Sequence, residues 1–172
     1  RQTLLLAGSS LLLPFAGVAE ARALPASDLK SLAALERKVG GRLGVAVLDT
    51  GSGQLVGHRL DERFGMCSTF KMPLAAAILR AVDQGRLRHD QWVPYGPADT
   101  VPHAPITQKH LKRGGMTLVA LAEAAQTTSD NVAANLLLKL IDGPAGFTSI
   151  LRSAGDTITR LDRFEPHMNH VR

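Results

Sequence analysis

The strongest constraint on the fold is a change in hydrophobic pattern along the chain, from strand-like to helical. Residues 43–48 form a short apolar run, residues 49–53 have turn composition, and residues 54–59 fit a returning strand. A hairpin of two strands is marginally stable alone in water, so it needs further strands. The rest of the chain has no convincing strand pattern. We therefore expect an incomplete antiparallel sheet whose first strand is buried.

Helical periodicity accounts for most of the remaining chain. Before the hairpin, leucine or valine at positions 29, 32, 35 and 39 predicts an amphipathic helix, which Gly40 and Gly41 would end. After the hairpin, helices are predicted at residues 69–84, 117–127, 131–141 and 144–154, followed by a loop over 155–172.

Two residues refine these helices. Pro73 lies just beyond the first turn and cannot donate a backbone hydrogen bond, which predicts a tight or irregular start. Thr117 is a suitable N-cap for the next helix. A helix, a hairpin and a helical subdomain indicate an α+β (mixed α/β) fold.

The N-terminal segment resembles an export signal. Residues 4–18 are apolar, Arg1 supplies positive charge, and Ala21 and Ala23 provide a small-x-small cleavage site. A membrane anchor is the alternative, but Gly8 and Pro14 interrupt the short apolar run. We expect residues 1–23 to be removed, leaving 24–172 as part of one domain. The protein would be periplasmic or secreted, without stable membrane association after cleavage.

Charge distribution argues against nucleic-acid binding. The formal net charge is +5, but only Lys109, His110, Lys112 and Arg113 lie close together in sequence. A nucleic-acid interface needs a basic stripe or patch, and a solvated loop explains this cluster better.

Ser68 and Lys71 are the first candidates for chemistry. If Ser68 opens the helix, Lys71 lies one turn later on the same face. The ammonium and the helix N-terminus would both stabilise a developing alkoxide at Ser68. A surface serine and lysine at a helix start remain an equal alternative for this pair taken alone.

Ser129, Asp130 and Asn131 precede another predicted helix. These residue types favour helix N-caps, so capping is the simpler interpretation of the triplet alone. The functional interpretation is a proton-carrying serine beside an amide that binds substrate.

Glu165 and Asn169 place a carboxylate and an amide four residues apart on the final loop. A carboxylate that reaches a water molecule is a candidate general base, and a nearby amide can hold that water. His167 and His170 have a spacing found in metal sites, but no third ligand stands out. We therefore expect neither a metal nor a cofactor.

Together, these motifs and their order resemble the class A serine β-lactamases. The resemblance runs from about Leu35 to the last residue and includes residues 104–107 and 161–164. It implies a β-lactamase/transpeptidase-like fold and hydrolysis of penicillin- or cephalosporin-type antibiotics. It also implies that this chain is the N-terminal part of a longer protein and is inactive alone, because the family's later Lys-Thr-Gly strand is missing.

The resemblance also implies roles for individual residues. Ser68 would be the nucleophile, with Lys71 and Glu165 sharing its activation, a disputed division of labour. Ser129 would pass a proton to the ring nitrogen. Asn131 would bind the substrate's side-chain amide.

Further residues match positions around the family's catalytic centre. Asn169 would hold the hydrolytic water with Glu165, and Asn135 would brace the loop. His103 would lie at the cleft mouth, where the family usually has an aromatic residue. The substrate would be a small-molecule β-lactam, and the protein would be a monomer.

Two further expectations follow from the resemblance. The peptide bond between Glu165 and Pro166 would be cis. Cys67, the only cysteine, would pair with a later strand in the complete protein, since some family members have such a disulfide.

Two rival functions share the serine and lysine. A penicillin-binding D,D-peptidase, or a β-lactam sensor that stays acylated, would lack a deacylating base. Glu165 with Asn169 argues against both.

Overall fold

The computed structural model describes residues 26–168, so the predicted export signal lies outside the described residues. Between Phe64 and Gly65 the chain divides into two compact units. Within 26–168 it forms five α-helices and two separate two-stranded antiparallel sheets, which confirms the α+β class. No helix in the described range is both long and apolar enough to span a membrane.

The first unit contains one helix and the predicted hairpin. Helix α1 (Ala26–Val39) precedes strands β1 (Val45–Leu48) and β2 (Leu55–His58). The strands are antiparallel, and Leu48 pairs with Leu55 next to the turn. The helix and both strands were predicted from hydrophobic pattern and turn residues alone.

A polar cluster joins α1 to the end of β2. Glu36 on α1 accepts hydrogen bonds from His58, at 2.6 Å, and from Arg59. Arg59 also pairs with Glu62, which in turn pairs with Arg42. The Arg59 guanidinium, followed by His58, lowers the pKa of Glu36 to about 2.

The predicted burial of β1 is wrong for the chain as described. Val47 is 45% exposed and Leu48 is 59% exposed. An apolar strand is buried on both faces only when other elements cover both faces. Within residues 26–64, only β2 and α1 accompany this strand.

The second unit is mainly helical. It contains α2 (Lys71–Asp83), α3 (Leu118–Thr128), α4 (Asn131–Lys139) and α5 (Gly143–Ser153). Their apolar faces share one core, whose most buried large side chains include Leu74, Ile78, Leu121, Leu137, Leu138 and Phe147. Burial of each such side chain contributes roughly 1.5–3 kcal/mol, which makes this core a firm support for adjoining loops.

This unit also contains a small sheet that was not predicted. Strand β3 (Trp92–Pro94) pairs antiparallel with β4 (Gly115–Thr117). Each has three residues, too few for an alternating pattern to be recognised in sequence. The expectation that no strand follows the hairpin is therefore wrong.

The predicted irregular start before Pro73 and the predicted cap at Thr117 are confirmed, although α2 begins at Lys71 and α5 at Gly143, two residues later and one residue earlier than expected. A 3-10 turn over Cys67–Phe70 leads into α2, so Pro73 is the third residue of the α-helix. Proline is tolerated there because the first backbone N–H groups of an α-helix have no intrahelical partner. Thr117 caps α3 by accepting a hydrogen bond from the Ala120 amide at 3.4 Å.

Candidate active site

The junction between the 3-10 turn and α2 brings Ser68 and Lys71 together. Ser68 Oγ lies 3.2 Å from Lys71 Nζ. Between them, Phe70 is 2% exposed and packs edge-on against Phe147 of α5, with ring centroids 6.3 Å apart. Thus one residue of the turn is anchored in the core while the Ser68 residue is exposed. Cys67, just before it, is an exposed free thiol.

Five oxygen atoms surround the Lys71 ammonium, which has three protons to donate. Nζ lies 2.6 Å from Asn131 Oδ1, 2.7 Å from the Ser129 carbonyl oxygen and 2.9 Å from Ser129 Oγ. Ser68 Oγ, at 3.2 Å, and Glu165 Oε1, at 3.6 Å, are more distant. The three shortest contacts can take all three protons. A neutral Lys71 amine would instead offer a lone pair to the Ser68 hydroxyl.

Burial favours the neutral form of this lysine. Lys71 is 2% exposed, and removal from water lowers the pKa of its ammonium, since burial disfavours the charged form. The carboxylates of Glu165 and Asp130 oppose this effect in part. A lysine whose pKa is lowered by burial is better suited to accept a proton near neutral pH.

The triplet at residues 129–131 combines capping with contacts to the lysine. Asp130 is the N-cap of α4 and accepts a hydrogen bond from the Ala133 amide at 2.9 Å. Ser129 and Asn131, on either side, contact Lys71 instead. The capping interpretation is therefore confirmed for Asp130, whereas the catalytic role of Ser129 and the binding role of Asn131 stay predictions.

Asp130 is fully buried and also joins the loop before β4 to α4. Its carboxylate accepts hydrogen bonds from the Ile106 amide and from both the amide and hydroxyl of Thr107, at 2.8–3.0 Å. The hydroxyl of buried Tyr95 donates to the Thr107 carbonyl at 2.9 Å. These bonds fix the backbone on both sides of Asp130, which positions the two residues that contact the lysine.

Glu165 lies on the final loop, is 6% exposed, and places its carboxylate 3.6 Å from the Lys71 ammonium. Asn135 of α4 holds it through two hydrogen bonds: the Asn135 amide donates to the Glu165 carbonyl at 3.0 Å, and the Glu165 N–H donates to Asn135 Oδ1 at 2.9 Å. The bond to Pro166 is cis, as predicted. Asn169, the predicted partner of Glu165, lies outside the described residues.

A pocket of about 200 Å³ lies beside Asn135. It is lined by side chains of α4, by Ala98, Asp99 and Val101, and by Phe164.

His103 contacts Asn131, one of the residues around Lys71, but makes no hydrogen bond to Lys71 itself. Its backbone carbonyl accepts a hydrogen bond from the backbone N–H of Asn131 at 2.9 Å, and its Nε2 lies 3.0 Å from the Thr128 carbonyl oxygen. The side chain is exposed.

Sequence reasoning missed Gln126, whose side-chain amide donates to the Lys71 carbonyl at 3.1 Å. It also missed the supporting roles of Tyr95 and Thr107. None of the three stands in a recognisable motif, and only the packing of distant segments reveals them. Within 26–168, no three His, Cys, Asp or Glu side chains come together as a metal site requires.

The arrangement is suited to acyl transfer in two steps. An exposed hydroxyl lies next to a buried lysine whose pKa is lowered, and a second hydroxyl and a buried carboxylate share that lysine. Such a group of residues can activate a serine nucleophile and then a water molecule.

Comparisons with known proteins agree with this chemistry. The sequence model described as "Beta-lactamase enzyme family" matches residues 26–172. The chain is 50% identical over 137 residues to "Beta-lactamase L2" of Stenotrophomonas maltophilia, covering 80% of this chain and 45% of that protein. It is 47% identical over 161 residues to "Carbapenem-hydrolyzing beta-lactamase KPC" of Klebsiella oxytoca, covering 94% of this chain and 54% of that protein.

Among solved structures, an ancestral class A β-lactamase designated GNCA superposes with a TM-score of 0.80 at 56% sequence identity. The match covers 84% of this chain and 55% of that structure. The chain thus spans about half the length of the relatives it matches.

Proposed function

The chain belongs to the class A β-lactamase family, and from this premise we propose that the complete protein hydrolyses the β-lactam ring of penicillin- or cephalosporin-type antibiotics. The observation that supports this most strongly is the set of contacts around Lys71. Its buried ammonium lies within 3.6 Å of side-chain oxygens of four residues: Ser68, Ser129, Asn131 and Glu165. This activity would confer resistance to such antibiotics.

The first step is acylation of Ser68. Its Oγ attacks the β-lactam carbonyl carbon, and its proton passes to Lys71, either directly or through a bridging water and Glu165, which then hands the proton to Lys71. The carbonyl–nitrogen bond of the ring then breaks. Ser129 Oγ donates its proton to the departing nitrogen and is reprotonated from Lys71, 2.9 Å away. Ser68 is left as an ester of the opened ring.

The second step is hydrolysis of that ester. Glu165 takes a proton from a water molecule, which attacks the ester carbonyl, and Asn169 would help to hold that water. The bond between Ser68 Oγ and the acyl carbon breaks, and Ser68 Oγ takes the proton held by Glu165, which regenerates both residues. Asn131 would bind the acyl-amide of the substrate side chain throughout. No cofactor takes part.

A D,D-peptidase or a β-lactam sensor would complete only the first step efficiently with a β-lactam. The buried Glu165 carboxylate, 3.6 Å from Lys71 and held by Asn135, favours hydrolysis over these alternatives. In keeping with the sequence of residues 1–23, we further propose that the protein is exported, works as a monomer in the periplasm or outside the cell, and binds no nucleic acid.

The test separates the two steps in the complete protein. Glu165→Ala should still react with benzylpenicillin but release the product at least about a hundredfold more slowly, the usual effect of losing a general base. Mass spectrometry should then detect a protein heavier by one penicillin, attached at Ser68. Ser68→Ala should form no adduct. Glu123→Ala, at an exposed glutamate of α3, is the matched control and should turn over normally.

Normal turnover by Glu165→Ala would show that another group activates the water. An adduct on a residue other than Ser68 would reject the proposed nucleophile. Absence of any reaction with the unmodified protein would reject the proposed function.

A further inference from the structure

Gln126 connects helix α3 to the backbone of the lysine at the centre of the site. Its side-chain Nε2 donates a hydrogen bond at 3.1 Å to the carbonyl of Lys71, the first residue of α2. A carbonyl oxygen has two lone pairs, so it can accept this bond in addition to a helical one. Residue 126 is exposed, so the hydrogen bond, rather than burial in the core, orients its side chain.

The same stretch of chain also holds the other end of Lys71. Its Nζ lies 2.7 Å from the Ser129 carbonyl oxygen and 2.9 Å from Ser129 Oγ. Gln126 lies in the last turn of α3, and Ser129 is the left-handed cap that follows this helix. The end of α3 therefore contacts the lysine at both its backbone and its ammonium. Without such contacts, the flexible four-carbon stem would leave the ammonium free to move.

The position of α2 along α3 decides whether the proton-carrying groups meet. Ser68 and Lys71 lie together at the start of α2, whereas Ser129 belongs to the end of α3. The two helices pack through apolar side chains of the shared core. Such contacts are not directional, so by themselves they permit small shifts of one helix along the other. A hydrogen bond weakens steeply when its geometry changes, so the bond from Gln126 opposes these shifts.

We propose that Gln126 is a positioning residue, which fixes the start of α2 against the end of α3 so that the Lys71 amine and the Ser129 hydroxyl stay within proton-transfer distance. This inference rests on the proposed function, in which Lys71 reprotonates Ser129 during acylation. Deacylation depends instead on Glu165, which Asn135 of α4 holds. Loss of the bond from Gln126 should therefore slow acylation and spare hydrolysis of the acyl-enzyme.

Three variants of the complete protein provide the test. Gln126→Met keeps the length of the side chain but has no donor. In Gln126→Arg the Nε–H is bonded to Cδ, as Nε2 is in glutamine, and the rest of the guanidinium can extend into solvent from this exposed position. Thr127→Val is the matched control. It removes a hydrogen bond of 2.8 Å from Thr127 Oγ1 to the Glu123 carbonyl, which lies within the same turn of α3 and does not reach α2.

Rapid-mixing measurements with benzylpenicillin give the rate constants of acylation and deacylation separately. In Gln126→Met, acylation should slow about three- to tenfold, the range expected for one neutral hydrogen bond, while deacylation should change by less than about twofold. Gln126→Arg should recover most of the acylation rate. Thr127→Val should leave both rate constants unchanged.

The pH profile of acylation supplies a readout that a loss of stability alone would not move. Burial lowers the pKa of the Lys71 ammonium, and the carboxylates of Glu165 and Asp130 oppose this effect. A displaced Lys71 gains water, so its pKa should rise and its neutral fraction should fall at a given pH. The acidic limb of the profile should therefore shift to higher pH in Gln126→Met and return in Gln126→Arg.

Unchanged acylation in Gln126→Met, or an acidic limb that does not move, would overturn the positioning role. So would an equal slowing of acylation and deacylation, or the same slowing in Thr127→Val, since either would indicate a general weakening of the helix. If the unmodified protein does not hydrolyse benzylpenicillin, the proposed function fails and this inference fails with it. If it does, but acylation is insensitive to Gln126, only this inference is wrong.

Discussion

The two hydrogen bonds from Asn135 to the Glu165 backbone provide a sharp test of the site. Asn135→Leu keeps a similar volume but removes both partners, at 3.0 and 2.9 Å. It leaves the buried Glu165 N–H and carbonyl without their partner.

The magnitude follows from those two bonds. Each neutral hydrogen bond contributes about 1 kcal/mol, and a buried polar group left unpaired costs about 1–3 kcal/mol. We therefore expect the ordered loop to lose about 2–4 kcal/mol relative to displaced forms. Since about 1.4 kcal/mol corresponds to a factor of ten, deacylation should slow by up to roughly 30- to 1,000-fold.

The assay is turnover of benzylpenicillin by the complete protein, with mass spectrometry of the acyl-enzyme. Asn135→Leu should accumulate the adduct at Ser68, because Ser68 and Lys71 lie on a different element and should still react. Urea unfolding gives the accompanying loss in stability. Ile141→Val, which removes a buried methyl near the end of α4, should cost about 0.5–1.5 kcal/mol without any adduct accumulating.

Wild-type turnover by Asn135→Leu, with no adduct, would show that the contacts with Asn135 do not position Glu165. An equal accumulation of adduct in Ile141→Val would attribute the effect to general loss of stability.

Three further outcomes follow from other contacts. The pKa of Glu36 is lowered from 4.5 to about 2, chiefly by Arg59, so its stabilising contribution should be complete above about pH 4.5 and lost as the pH falls through 2. In Arg59→Gln, the pKa measured by NMR titration of the Glu36 carboxyl carbon should rise toward its ordinary value, and an unchanged pKa would reject this cause. Thr117→Ala should lower the free energy of unfolding by about 1 kcal/mol in urea titrations, as loss of the N-cap bond to Ala120 predicts, and Thr117→Ser should recover most of it. In the complete protein denatured without reductant, Cys67 should give no free thiol if it pairs with a later cysteine, whereas one free thiol would reject the disulfide.

The resemblance to class A β-lactamases supplied more of the site than residue patterns did. Taken singly, Ser68 with Lys71 had an equally good surface interpretation, and the triplet at 129–131 resembled a cap. The resemblance assigned Asn135 to the loop, and its contacts with Glu165 agree. The catalytic and binding roles themselves remain predictions, with Asn169 outside the described residues.

The sequence alone determined the local structure of this chain. Three local features depend on residues within a turn or two of each other: the periodicity of α1 to α5, the cap at Thr117 and the irregular start before Pro73. Such interactions can be recognised from spacing and side-chain chemistry, because neighbours in sequence are neighbours in space.

Tertiary structure decided how the site is assembled. Lys71 contacts Ser129 and Asn131, which are 58 and 60 residues away, and Asn135 holds Glu165 from 30 residues away. It also decided the pairing of two short strands and the exposure of β1. These features depend on a shared core that brings distant segments together, and on which faces other elements cover. No local pattern encodes either, because contact between distant segments is a property of the whole packed chain.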